Sequence, residues 1–582
     1  MNTLAPIFTK TTECQDCYKC IRQCPVKAIR VENGHAEILS QMCILCGNCV
    51  INCPASAKHV RDDLGKAKQL LTLKGKVIAS VAPSFAAEFS DFTYQEFIAA
   101  LKKLGFWGVS ETALGADLVS AELAKYIKDK IEGDNQQKLF LSSACPAVVE
   151  YIKQYKKNLT PYITDLASPL LAHVRYLKKL YGEDIGVVFI GPCVAKKRES
   201  DVWQTIDTVL TFSDLRKWFK SEGIRSDALK ITEDTKFIPE RSAKGSLYPV
   251  DGGMIAATKK YHKLNNIQTM AISGIYQIQE ALDNLNPVQL KNPLFMELLS
   301  CPGGCVNGPG THSCESSAIK RVKVIDYAQD SRDVISLDEI DNSPDLSGTL
   351  PVENESQIVH TEEEIRGALR SVGKFTPADE LNCSSCGYDS CRHFATAMLD
   401  NRAEKVMCVS YMRKLAQKQA NSLIKSIPSG VVIADKNLNI VECNLNFAKM
   451  MGSEAVELFD AKPGLEGASL EKIANFSRFF SDVLEINGPD VIEREVRCGK
   501  KIFHVSVFAI EKESIAGGVI EDITAPQVQK HRIVSQARKV IDKNLSVVQK
   551  IAYLLGENAA ETESILNSII QSFSEDEGEE DY

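Results

Sequence analysis

Nineteen of the 582 residues are cysteines, and most of them fall into spaced sets. Cys14-x-x-Cys17-x-x-Cys20-x-x-x-Cys24-Pro25 recurs as Cys43-x-x-Cys46-x-x-Cys49-x-x-x-Cys53-Pro54, an offset of 29 residues. A turn with a thiolate at every third position wraps three ligands around one iron–sulfur cube, and in two-cube proteins the Cys before proline serves the other cube. The spacing therefore predicts one 4Fe–4S site from Cys14, Cys17, Cys20 and Cys53, and a second from Cys43, Cys46, Cys49 and Cys24. A zinc module is the alternative, but paired C-x-x-C hairpins need no third Cys in register. A third set is Cys383-x-x-Cys386-Gly387-Tyr388-Asp389-Ser390-Cys391, followed by Cys408. Four thiolates leave no open coordination position, which favours a cube over catalytic zinc, with structural zinc as the alternative. Four more cysteines stand apart: Cys145 in Ser142-Ser143-Ala144-Cys145-Pro146, Cys193 in Gly191-Pro192-Cys193, and the pair Cys301 and Cys305 around Gly303-Gly304. A lone buried Cys is most often a small hydrophobe. Two in a Gly-rich turn suggest backbone wrapped closely around a ligand. Cys314, Cys443 and Cys498 have no spacing logic and read as structural.

Composition limits what these thiols can be. The chain is 44% hydrophobic and 25% charged, with net charge −8. That is ordinary for globular domains and argues against nucleic acid or an anionic membrane surface as the main partner. No run of about 18 apolar residues appears, and Met1 to Thr12 lacks a signal-peptide core. The reading is a cytoplasmic protein whose cysteines are metal ligands rather than disulfides.

The elements that must hold these residues alternate in type. Lys76–Ala82 and Ile185–Ile190 read as buried strands and Tyr94–Leu104 as a helix, a pattern of α/β modules. Residues 328–356 are polar and read as linker, and Thr361-Glu362-Glu363-Glu364 as a capped helix start. Cys391 to Cys408 reads as a helix, as does 411–427. Residues 428–524 turn to short strands. From 528 to about 573, Val540, Ile541, Val547, Val548, Ile551, Leu554 and Leu555 form a helical stripe, ahead of an acidic tail, 575–582. The fold class is multidomain α/β and α+β. Its parts are a ferredoxin-like domain (1–72), an α/β domain (73–327), a linker (328–372), a small helical 4Fe–4S domain (373–410), a fourth domain (411–526) and an output helix with its tail (527–582).

Residues 10–60 resemble bacterial-type ferredoxins. Residues 75–325 resemble FeFe hydrogenases, whose three loops read roughly T-S-C-C-P-x-W, P-C-x-x-K-x-x-E and E-x-M-x-C-x-x-G-C-x-x-G; Ala82-Pro83-Ser84 is also family-like. The resemblance implies an H-cluster: Cys145, Cys193, Cys301 and Cys305 hold its 4Fe–4S cubane, and Cys305 bridges to a diiron subsite carrying CO and CN ligands. It implies that Lys196 donates to one cyanide, that Pro83 and Ser84 contact the other, and that Glu199 holds Lys196. Departures are informative. Active members carry a proton-relaying Cys where this chain has Ala144, and a methyl cannot carry a proton. Leu299 and Gly191 replace family methionines, and the first-loop aromatic is missing. Ser168 matches a relay serine, but Glu122 does not complete an acid relay. This set resembles the sensory hydrogenase branch. Relatives of the prelamin-recognition-factor type resemble a version with the cubane and no diiron group.

The third Cys set resembles a single-cluster 4Fe–4S domain. Ser426–Asp435, Ile440–Asn444, Ile502–Val507 and Gly518–Ile520 resemble a PAS domain, with no cofactor assigned to it, and the terminal helix resembles a signalling helix. Together the resemblances imply a regulatory FeFe hydrogenase that binds or slowly turns over H2 and relays redox state to the PAS module. The alternatives are a catalytic ferredoxin-linked hydrogenase and a non-enzymatic iron–sulfur sensor or scaffold. Implied partners are H2, ferredoxin or a similar electron carrier, diiron maturation proteins, a separate kinase- or phosphatase-type output protein and a second copy of the chain. Nucleic acid and membrane are not among them.

Overall fold

The computed structural model describes residues 4–132, 137–261, 267–352, 359–499 and 501–524, with 541 and 543. The chain divides into two compact units at Lys405/Val406. The expected output helix and acidic tail lie outside the described residues, apart from Ile541 and Lys543.

In the first unit the 29-residue repeat is a repeated shape. Tyr18 (φ 55°) and Gly47 (φ 80°) each turn left-handed into a one-turn helix, Lys19–Arg22 and Asn48–Ile51. Asn33 (φ 53°) and Gly34 (φ 74°) close the hairpin of Ile29–Glu32 with His35–Ile38, because both loop positions need positive φ. Ile7–Thr9 pairs antiparallel with Lys58–Val60 and ties the ends of the repeat together.

Two parallel sheets follow. One has the order Gly108–Glu111, Val77–Val81, Gly186–Gly191, Thr208–Thr211; the other has the order Gln268–Ser273, Leu294–Leu299, Leu139–Leu141. Apart from Gln268–Ser273, these strands are buried along their whole length, as strands covered on both faces must be. The helices Ala113–Glu132 and Pro169–Tyr181 pack closely because Gly115 has no Cβ; one there would meet His173 at 2.7 Å.

Residues 328–372, expected to be linker, are in large part docked. The helix Leu337–Asp341 opens on a Ser336/Glu339 capping box, and Glu362–Ser371 on a Thr361/Glu364 box. Ile335, Leu346 and Leu350 are buried, Arg175 donates to the carbonyls of Asp345 and Ser347 (2.8 Å each), and Lys153 donates to Leu350 O (2.7 Å). A few apolar residues within polar sequence suffice to lay the strap down. The helix expected over 391–408 ends instead at Leu399. Asn401 (φ 56°) is the left-handed residue of a Schellman stop, with its N–H on Met398 O (3.1 Å) and Arg402 N–H on Ala397 O (2.7 Å).

The second unit opens on the helix Val409–Ser426, then builds a five-stranded antiparallel sheet of order Ile440–Cys443, Gly430–Asp435, Ile515–Asp522, Lys501–Glu511, Val491–Cys498. Asn444 is buried beneath it and caps the helix Leu445–Met451. Cys443 packs in this core, whereas Cys314 is exposed in a loop of the first unit.

Candidate iron–sulfur centre

The three isolated cysteine segments all leave the carboxyl ends of parallel strands, where open α/β sheets place their sites. Leu139–Leu141 leads to Cys145, the residue before the helix Pro146–Tyr155; Gly186–Gly191 leads to Cys193; Leu294–Leu299 leads to Cys301 and Cys305. Ala82-Pro83-Ser84 leaves Val77–Val81 in the same way, and Ala82 N–H donates to Ile190 O (2.9 Å). The four thiols converge on one cavity lined by Cys145, Cys193, Cys301, Cys305, Ser300 and, from the N-terminal repeat, Cys46. Gly304 (φ 97°) leaves no room for a side chain against Pro249 O, which fixes the turn between Cys301 and Cys305.

Burial pushes all four thiols up, Cys193 to about 11, and for Cys193, Cys301 and Cys305 neighbouring thiols add to the effect. Such thiols become thiolates only with a cation to compensate them, as coordinated iron would. Among the described residues no three His, Cys, Asp or Glu converge to hold a single metal ion. A ring of thiols about a cavity instead suits a cube, whose irons sit at separate corners.

The N-terminal cysteines assemble in the crossed sets. Cys14, Cys17 and Cys53 act electrostatically on Cys20, while Cys24, Cys43 and Cys46 act on Cys49. Cys46 also acts on Cys301, so the second set adjoins the four-thiol cavity. Cys383, Cys386 and Cys391 lie in the first unit; Cys408 lies in the second, immediately before the helix Val409–Ser426.

Lys196 is nearly buried in the helix Ala195–Val202. Its Nζ donates to Ser168 Oγ (2.9 Å) and pairs with Glu199 Oε2 at 2.6 Å, at angles outside hydrogen-bond geometry. Ser168 also caps the helix Pro169–Tyr181 through Leu171 N–H (3.3 Å). An ammonium has three donors, so donors remain for a ligand. Pro83 is buried, and Ser84 Oγ is buried without a hydrogen-bond partner, an orphan that fits a bound acceptor. Neither Ser84 nor Lys196 is part of the cavity lining. Ala144 packs half-buried against the core. Leu299 is buried, and Phe189 fills the space a side chain on Gly191 would need. Glu122 is half-buried and stands 3.9 Å from Lys125.

Several supporting residues were not singled out in the sequence. Lys197, wholly buried, pairs with Asp63 (2.9 Å) and Asp214 (3.7 Å) and donates to Val209 O (2.9 Å); Arg61 holds both Asp63 and Asp201. This network fastens the N-terminal domain to the helix that follows Cys193. Asp117 accepts from Ala243 N–H, Gly245 N–H (2.7 Å each) and Tyr261 Oη (3.0 Å), and burial raises its pKa to about 7. Glu297 accepts from Ile255 N–H (3.0 Å), and burial raises it to about 7 as well. The Lys-Lys pair at 196–197 was the one available signal for the first network; the acids gave none.

Known proteins match this architecture in parts. Residues 75–309 match the family described as iron-only hydrogenase large subunit, C-terminal domain; residues 6–54 match a 4Fe-4S dicluster domain; residues 379–410 match an Fe-S cluster domain. The chain is 25% identical over 323 residues to iron hydrogenase 1 of Clostridium pasteurianum, covering 47% of this chain and 56% of that protein. It is 26% identical over 302 residues to the periplasmic Fe hydrogenase large subunit of Nitratidesulfovibrio vulgaris, covering 44% and 71%. It is likewise 25% identical over 333 residues to the cytosolic Fe-S cluster assembly factor narfl of Danio rerio, covering 46% and 80%. An FeFe-hydrogenase structure from Chlamydomonas reinhardtii aligns at 17% identity with TM-score 0.38, covering 48% of this chain and 90% of that one. The chain is thus a hydrogenase-like iron–sulfur protein with a dicluster segment ahead of its α/β domain. No helix among the described residues is long and apolar enough to cross a membrane.

Proposed function

We propose that this chain is an iron–sulfur redox sensor that uses the hydrogenase fold to respond to reduction, with H2 turnover slow or lost. The observation that carries the reading is Ala144, a methyl packed on the core immediately before Cys145. The four buried thiols suit a cubane ligated by Cys145, Cys193, Cys301 and Cys305, and the crossed N-terminal sets suit two further cubes. A diiron group, when bound, would supply the H2 chemistry. Around it, Cys305 would ligate, Lys196 and Ser84 would donate hydrogen bonds, Pro83 would shape the pocket and Glu199 would hold Lys196 in place. The cubes would exchange electrons with ferredoxin or a similar carrier. The Cys383–Cys408 segment would pass redox state to a PAS-type sheet, and residues 527–582 would carry it, in a dimer, to a separate kinase- or phosphatase-type protein.

A second reading is a scaffold or sensor with the cubane and no diiron group. It is favoured by Lys196, already held by Ser168 and Glu199, by the cavity lining, which includes neither Lys196 nor Ser84, and by the likeness to the Danio rerio assembly factor. Infrared spectroscopy of chain produced with diiron maturation proteins separates the two. CO and CN stretches support the H2-responsive form; their absence excludes it and leaves the scaffold or redox sensor.

A further inference from the structure

We infer that the Cys24–Cys43–Cys46–Cys49 site is a three-way redox junction, with the Cys383–Cys391 turn docked against it as a separate entrance. The inference rests on the proposal that these cysteines ligate clusters. Gly387, next to Cys386, has φ +91° and lies on the helix Lys19–Arg22: a Cβ there would stand 2.8 Å from Ile21 Cγ2 and 3.3 Å from Arg22 N. Arg22 spans both cysteine turns, donating to Ser385 O (3.4 Å) and to Cys17 O (3.0 Å). Farther along, Val31 N–H donates to Arg402 O (3.1 Å), Asn33 N–H to Glu404 Oε1 (2.7 Å), Arg402 to Lys27 O (3.5 Å), and Lys27 pairs with Asp389 (3.5 Å). Residues 385–404 are therefore clamped along residues 21–33, the stretch that carries Cys24.

The docked turn also borders the Cys24 set, since Asp389 pairs with Lys27 (3.5 Å), three residues after Cys24. Tyr388 is buried, its Oη without a hydrogen-bond partner, and the thiols of both Cys386 and Cys24 act on it. Tyr276 is likewise acted on by Cys24, Cys46 and Asp389 together. On another side the same set presents Cys46 to the four-thiol cavity. Its third neighbour is the Cys14–Cys17–Cys20–Cys53 set, joined to it through the short stretch from Cys20 to Cys24. Contacts on both sides of Cys24 would let an electron entering at the docked turn pass to the Cys24 set directly, rather than by way of the Cys14 set. One site loses the electron that the other gains, and no proton moves and no bond changes.

Electron paramagnetic resonance of the reduced full-length chain tests this, with iron analysis beside it. The signal of the cluster held by the Cys383–Cys391 turn is expected to be broadened by its neighbour. Cys46→Ser should remove that broadening and Cys53→Ser should leave it, each with loss of about four irons per chain. Broadening that survives Cys46→Ser, or disappears in Cys53→Ser, overturns the junction. Gly387→Val is expected to abolish the broadening at unchanged iron content; broadening retained at full iron content also overturns it. If Cys391→Ser loses no iron, the Cys383–Cys391 turn holds no cluster, and both the junction and the cluster assignment fail.

Discussion

Lys197→Met removes one charge from the network that fastens the N-terminal domain to the helix after Cys193, and keeps the side chain's length. Lys197 is fully buried, with Nζ 2.9 Å from Asp63, 3.7 Å from Asp214 and 2.9 Å from Val209 O. Removing one partner of a buried ion pair costs about 3–5 kcal/mol, because the other charge stays behind without compensation. Arg61 still holds Asp63 (3.0 Å), which places the cost near the lower end, about 3 kcal/mol. At 1.36 kcal/mol per factor of ten, native-state hydrogen exchange in the strand Thr208–Thr211 and the helix Leu64–Leu73 should accelerate roughly 150-fold. Exchange that rises less than about tenfold would refute the claim that this buried charge network holds the two domains together.

Two further outcomes follow from buried polar groups. Asn444 accepts from Val431 N–H (2.9 Å) and Phe447 N–H (2.8 Å) and donates to Ser429 O (2.9 Å) and Ile424 O (3.0 Å). Asn444→Ala should destabilise the second unit by about 2–3 kcal/mol, the loss of a helix cap plus unsatisfied backbone, seen as a lower urea midpoint and faster exchange in Gly430–Asp435. Asp117 binds its proton more tightly folded than unfolded, with its pKa raised from 3.8 to about 7 by burial and, less, by Glu111, against the donors Ala243, Gly245 and Tyr261. The folded state then holds a proton that the unfolded state has released, so this contribution to stability falls as pH rises from about 4 to 7, by up to about 1.4 kcal/mol per pH unit. The wild type should lose stability relative to Asp117→Asn across that window in urea titrations; parallel pH profiles would refute the assignment.

What the sequence discloses here is mostly local. The crossed N-terminal sets follow from Cys spacing within turns, and the two left-handed entries at Tyr18 and Gly47 repeat with it. The strands Val77–Val81 and Gly186–Gly191 are visible as short apolar runs, and Thr361 with Glu364 as a capping box. Long-range matters were hidden. Nothing near residues 343–350 announces that Arg175 and Lys153 capture that strap, and nothing near Asp63 points to Lys197. The helix after Cys391 carries its own stop signal in Asn401, a residue type that accepts the left-handed turn, and reading the helix through to Cys408 passes over it. Ser168 was legible as a motif residue, but its direct hydrogen bond to Lys196 required the fold.

The most direct test of the central claim is the H2 turnover of the chain compared with its Ala144→Cys variant, at equal diiron loading measured by infrared absorbance. A positioned proton-transfer group contributes about 10²–10⁴ in rate. The thiol should raise turnover by about 100-fold or more, from a slow baseline. Equal rates in the two proteins, with the wild type already fast, would contradict the claim that Ala144 makes this chain a sensor rather than a catalyst.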